Sequence, residues 1–87
     1  MAIVKKKIPP EYFELISSGK KRFELRLNDF DIREGDTLVL EEYDPETKEY
    51  SGRKIEKTVD YVLNFDLDLF KQKEKIIEKG LLLIQFK

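Results

Sequence analysis

An α+β domain, with two helices beside a curled sheet or small β-barrel, is the fold class this sequence predicts. Three observations carry it. Stretches with the two-residue period of a strand are interspersed with two stretches of helical period. Both predicted helices close on a glycine, Gly19 and Gly80. The region between them is rich in strand and turn signals. No Pro-, Gly- or Ser-rich stretch is long enough to separate two cores, so residues 1–87 are read as a single domain.

A short strand is predicted over residues 2–8, followed by Pro9 and Pro10, whose fixed φ suits the first turn of a helix. That helix is expected over about residues 10–18. Tyr12, Phe13, Leu15 and Ile16 recur at helical spacing, Glu11 sits near the positive N-terminus, and Gly19 supplies a left-handed cap. Residues 22–27 alternate, with Phe23, Leu25 and Leu27 on one face and Arg22, Glu24 and Arg26 on the other, so a half-buried strand is predicted there.

Gly35-Asp36 marks a turn, and residues 37–43 read as a strand with Leu38 and Leu40 inward. Residues 44–52 form a long hairpin connection. The return strand is predicted over about residues 53–65, through Ile55, Val59, Tyr61, Leu63 and Phe65. Asp66 or Asp68 then caps a helix running to about Lys79, with Leu67, Phe70 and Ile77 on the core side. Residues 81–86 are apolar apart from Gln85 and are expected to form a central strand beside the N-terminal one.

Composition narrows the chemistry. The chain has no Cys and no His, which excludes disulfides, zinc ribbons and thiol catalysis and leaves carboxylate, Lys, Tyr or bound water as the only general bases. Any metal would be a hard, oxygen-liganded one, but Asp44 with Glu46, and Asp66 with Asp68, lack calcium-loop spacing. Turn and capping roles are predicted for them, with no metal and no cofactor. Charged residues reach 40%, with 17 basic against 18 acidic side chains; with one Met and two Asn, this composition predicts a thermophilic source. The charge is uneven. Residues 1–27 carry seven basic and three acidic side chains, so the first third is suited to attract phosphate while the acidic remainder discourages indiscriminate nucleic-acid binding. Lys5 to Lys7 are followed by Ile8-Pro9-Pro10 instead of an apolar run, and no segment is apolar enough to span a bilayer, so a cytoplasmic location away from membranes is expected.

The stretch that carries chemistry lies directly after the first helix, where Gly19, Lys21, Glu24 and Arg26 compose the pattern GxKxxExR. Glu24 and Arg26 share one strand face and can pair, leaving an oriented guanidinium whose fork suits a phosphate or a base edge. Lys21 adds a point charge. A carboxylate between two cations can also accept from a base amino group. The competing reading is that Arg22, Glu24 and Arg26 are simply the solvated face of a strand. Two other patterns fail: Glu14 and Lys21 stand where a phosphate loop around Gly19-Lys20 needs Gly and Ser or Thr, and Ser17 with Lys20 lacks the companion motifs of SxxK enzymes. Tyr43, Tyr50 and Tyr61 could stack on bases, with at least one of them expected in the core.

The GxKxxExR pattern resembles that of the ASCH family of the PUA-like superfamily. Residues 32–36 look like that family's glycine-aspartate turn, and Tyr43-Asp44-Pro45 with Gly52-Arg53 looks like the hairpin of its short bacterial, phage and archaeal members. The resemblance implies a small PUA-like β-barrel with two flanking helices, binding RNA or a nucleotide-like small molecule in a cationic cleft formed by Gly19, Lys20, Lys21, Glu24 and Arg26. Some relatives of similar fold hydrolyse acylated cytidine with the motif lysine and a threonine at the position of Glu24, and others are nucleases. The alternative is therefore a small hydrolase, a nucleoside amidohydrolase or ribonuclease, with Lys21 and Glu24 as catalytic candidates. Glu24 departs from the amidohydrolase pattern.

Overall fold

The computed structural model describes residues 1–68 and 71–87. Its ordered centre is a three-stranded sheet with one helix on it. Strand β1 is Ile3–Ile8, helix α1 Pro10–Ser17, β2 Thr37–Asp44, β3 Glu49–Thr58, and a short α2 spans Lys73–Lys79. The sheet order is β1-β2-β3, with β1 parallel to β2 and β2 antiparallel to β3. Parallel neighbours require a crossover, and α1 with the loop after it supplies that crossover, carrying the chain across one face of the sheet.

The helix begins as the two prolines dictate. Pro9 is extended at the cap position, Pro10 opens the first turn, and the Pro9 carbonyl accepts from Phe13 N–H at 2.9 Å. Phe13 and Ile16, one turn apart, bury against Ile8 of β1 and Leu40 of β2, with Leu38 and Ile55 packed around them. Tyr12 and Leu15 flank that stripe and stay largely exposed. Val39 is also buried, although it points to the opposite face from Leu38 and Leu40.

An ionic clamp closes the same face. The Arg53 guanidinium bonds the Glu14 carboxylate of α1, lies 3.3 Å from Glu42 Oε1 of β2, and sits 4.5 Å from the Phe13 ring centroid. Glu42 is buried, and Ser51 Oγ donates to it at 2.6 Å, so its charge is matched by a cation and a hydroxyl. The Glu14 hydrogen bond holds Arg53 above its ordinary pKa.

Asp36, in the Gly35-Asp36 turn, ties the start of β1 to the start of β2. Its Oδ1 accepts from Ala2 N–H and its Oδ2 from Arg33 N–H, both at 2.9 Å. These backbone donors hold the carboxyl below the ordinary aspartate pKa, because they bond the ionised form. The resulting stabilisation is complete above that ordinary value and is lost as pH falls through the depressed folded value. At pH 7 the parent should therefore melt above Asp36→Asn, whose amide nitrogen cannot accept from Arg33. The gap should shrink below about pH 4. Thermal melts of both proteins across pH 2 to 7 check this, and a constant gap would contradict it.

Several sequence expectations change. Among the described residues the hydrogen-bonded ladder is an open sheet of three strands, and that ladder alone does not form the expected barrel. Residues 22–27 alternate as a strand should, yet they make no ladder, and among the described residues nothing covers Leu25 and Leu27, which are 64% and 80% exposed. Residues 59–65 also leave the ladder, which ends at Thr58. Gly52, expected in the hairpin connection, lies inside β3 at φ +93°, next to a register shift between Glu41 and Tyr43. The connection is thus only residues 45–48.

Helix α2 starts at Lys73, with Gln72 rather than Asp66 or Asp68 before it. Asp66 Oδ1 instead accepts from Asp68 N–H in a turn. Ile77 is 70% exposed and Leu67 is exposed as well, while Phe70 lies outside the described residues. Gly80 does close the helix, its N–H bonding Ile76 O at 2.7 Å. Residues 81–86 form no strand and do not pair with β1, whose partner is β2. None of Tyr43, Tyr50 and Tyr61 is buried; Tyr43 and Tyr50 meet edge to face at 4.9 Å. Among the described residues, no helix is long and apolar enough to cross a membrane.

Candidate functional site

The end of α1 builds the site. Gly19 takes φ +81°, a conformation that a side chain would strain, and its N–H bonds Ile16 O at 3.0 Å. The turn brings Lys21 N–H back to Leu15 O at 2.9 Å, which pins the Lys21 backbone to the last turn of the helix. The Lys21 ammonium is then held on several sides. It lies 3.0 Å from Glu24 Oε1, 4.6 Å from the Tyr12 ring centroid and 5.1 Å from that of Phe23. These neighbours all complement a cation.

Glu24 is the organising residue. While Oε1 meets Lys21, Oε2 accepts from Arg26 Nε at 2.9 Å, and Arg26 Nη2 continues to the carbonyl of Lys7 on β1 at 2.8 Å. The side chains of Lys21 and Glu24 are each 14% exposed and that of Arg26 29%, so the chain of charges is partly shielded from water yet still reachable. The result is two oriented cations around one carboxylate. Each carboxylate oxygen keeps a further lone pair.

Of the five residues expected at the site, Lys21, Glu24 and Arg26 are brought together. Gly19 contributes the turn, and its carbonyl accepts from Arg22 Nη1 at 3.3 Å. The Lys20 side chain is exposed and outside the trio; its carbonyl accepts from Gln85 Nε2 at 3.0 Å. Arg22 is a brace, because its guanidinium bonds Phe86 O at 2.6 Å while its N–H donates to Gln85 Oε1 at 2.5 Å. The C-terminal segment is thereby held along the motif by one glutamine amide that imitates a strand partner.

Sequence reasoning missed the aromatic lining of Lys21 and a neighbouring groove of about 260 Å³ bordered by Lys6, Leu25, Arg26, Leu27, Asp29 and Phe30. A signal existed for the first: Tyr12 and Phe23 flank the motif at positions that a helix end and a following extended segment bring together. None existed for Lys6 against Phe30, which are 24 residues apart in sequence.

A small α+β domain with a paired-cation site after its first helix is the class that fold and site define. The chain belongs to the family described as a domain of unknown function, DUF3850, whose model matches residues 3–76. The match takes in the whole sheet, α1 and the Lys21–Glu24–Arg26 site. The chain is also 40% identical over 53 residues to a protein of Escherichia phage P2 named "Uncharacterized 12.9 kDa protein in GpA 3'region", a match covering 61% of this chain and 47% of the phage protein. It thus spans about half the length of that curated relative. No solved structure matches the chain.

Proposed function

We propose that this domain is an RNA- or nucleotide-binding module of the ASCH, PUA-like kind. The observation that carries the reading is Glu24 bridging Lys21 and Arg26 with both carboxylate oxygens. That bridge fixes a guanidinium and an ammonium in advance, so an anion meets cations whose side-chain entropy is already spent. The seven basic side chains of residues 1–27 add attraction at longer range.

The barrel is part of the same proposal. Arg26 ties residues 22–27 to the free edge of β1, Gln85 and Arg22 tie residues 81–86 to the motif, and Asn28 Nδ2 lies 3.4 Å from Asn64 Oδ1. These links bring residues 22–27 beside β1 on one side and beside residues 81–86 and Asn64 on the other, an arrangement that supports a PUA-like ring. Closing that ring would cover the apolar C-terminal segment. Against the hydrolase alternative stands Glu24 itself, which departs from the threonine of the amidohydrolase pattern.

Arg26→Ala tests the reading. Loss of a charge-assisted contact should weaken binding of a short single-stranded RNA by about 10- to 100-fold. Because Arg26 also holds Lys7 O and Glu24, the variant should lose roughly 1 kcal/mol of stability and still fold. The parent's log affinity should fall with log salt at a shallow slope, on the order of two to four released counterions. Fluorescence anisotropy at two salt concentrations measures both quantities. Unchanged affinity in Arg26→Ala, or a parent that binds no RNA or nucleotide, would refute the proposal.

A further inference from the structure

The groove beside Arg26 has a composition that the paired-cation site does not explain. Lys6 Nζ lies 3.8 Å from the centroid of the Phe30 ring, and among the described residues no carboxylate is within ion-pair distance of it. A half-buried lysine parked on an aromatic ring keeps its charge available to an incoming anion. Arg26, on the same groove, is held in place by Glu24 and Lys7 O. Leu25 and Leu27 line it with apolar surface that nothing covers, and Asp29 contributes a carboxylate.

We propose that this groove takes one nucleotide, with its phosphate between Lys6 and Arg26, its base over Leu25, Leu27 and Phe30, and an amino or ribose hydroxyl donor on Asp29. The inference rests on the RNA- or nucleotide-binding reading and names the ligand's binding register within it. The mixture of groups selects the ligand class. Inorganic phosphate would leave the apolar walls bare, an apolar acid would leave Asp29 unmatched, and a nucleotide satisfies anion, π-face and donor requirements together. At about 260 Å³ the groove lies at the lower edge of small-molecule pockets, which limits it to a single nucleotide and excludes a run of them.

A phosphate-bearing nucleotide can be a free 5′-monophosphate or the first residue of a 5′-phosphorylated RNA, and one calorimetric series separates these sources. The full chain is titrated with the four ribonucleoside monophosphates, the matching nucleosides, inorganic phosphate, and a short RNA with and without its 5′-phosphate, and then repeated with Lys6→Ala, Lys6→Gln and Phe30→Leu. At least one monophosphate should bind more tightly than its nucleoside and than phosphate alone. Both Lys6 variants should weaken it about tenfold. A preference for the 5′-phosphorylated RNA over the free nucleotide identifies an RNA end as the source, and the reverse order identifies the free nucleotide. If RNA binding falls in Arg26→Ala but all three groove variants bind every ligand as the parent does, the groove assignment is overturned while the functional reading stands. If the parent binds neither nucleotide nor RNA, both fall.

Discussion

Leu40→Ala should destabilise the domain by about 2 to 5 kcal/mol. Leu40 lies in the core cluster it forms with Ile8, Phe13 and Ile16, and so joins β2 to β1 and to the helix that carries the site. Few other buried side chains can compensate. A domain of this size has a total stability near the low end of roughly 5 to 15 kcal/mol, so the variant should lose much of it. Its melting temperature should fall by at least about 8 °C, since each kcal/mol shifts a domain of 60–100 residues by roughly 4 to 8 °C. Thermal denaturation followed by circular dichroism checks this. A shift of only a few degrees would mean that the stabilising core lies elsewhere, for example under residues 81–86.

Glu24→Gln should have the second-largest effect, and it should act on stability and on recognition together. Without the carboxylate, Lys21 and Arg26 face each other as unmatched cations in a partly shielded site, which should cost about 1 to 2 kcal/mol. The added positive charge should leave affinity for RNA at low salt nearly intact while steepening the salt slope by about one counterion. Any preference among bases should weaken, because one of the two acceptor oxygens between the cations has become an amide donor. Anisotropy with homopolymeric RNAs at two salt concentrations measures slope and preference side by side. A Glu24→Gln protein that keeps parental stability, slope and base preference would reduce the trio to a solvated surface.

The first half of the fold was legible because local signals and tertiary partners agree there. Pro9-Pro10, the Phe13 and Ile16 spacing, Gly19 and the Gly35-Asp36 turn each dictate a backbone choice that the sheet then uses. Residues 22–27, within that half, and the chain after β3 misled for a definable reason: periodicity reports which side chains share a face, but not whether another element lies against it. Residues 22–27 and 81–86 have strand-like patterns, yet their apolar side chains remain open and their polar links come from Arg26, Arg22 and Gln85 instead of a ladder. Gly52 marks the end of a hairpin connection in sequence and lies within β3 in the structure, because a glycine's positive φ serves a hairpin and a bulge equally well.

At the site, the sequence spacing of Lys21, Glu24 and Arg26 was informative for a different geometric reason than expected. An alternating strand would have put Glu24 and Arg26 side by side on one face. The trio instead forms in an irregular segment, where the Gly19 turn brings Lys21 within 3.0 Å of Glu24, and Lys7 O fixes Arg26 from the opposite side. Lys6 and Phe30 could not be paired from sequence, because their contact depends on how the chain after Arg26 runs past the edge of β1.

Amide chemical-shift mapping tests most directly whether the Glu24-organised cations are the ligand site. Uniformly ¹⁵N-labelled protein is titrated with a short 5′-phosphorylated RNA and, separately, with the nucleotide that binds best. The account predicts that the largest shifts fall on Lys21, Glu24 and Arg26 and extend to Lys6 and Phe30, and that they are lost in Arg26→Ala. Shifts confined to the exposed sheet face around Tyr43 and Tyr50, or saturating binding with no response at Lys21, Glu24 and Arg26, would contradict it.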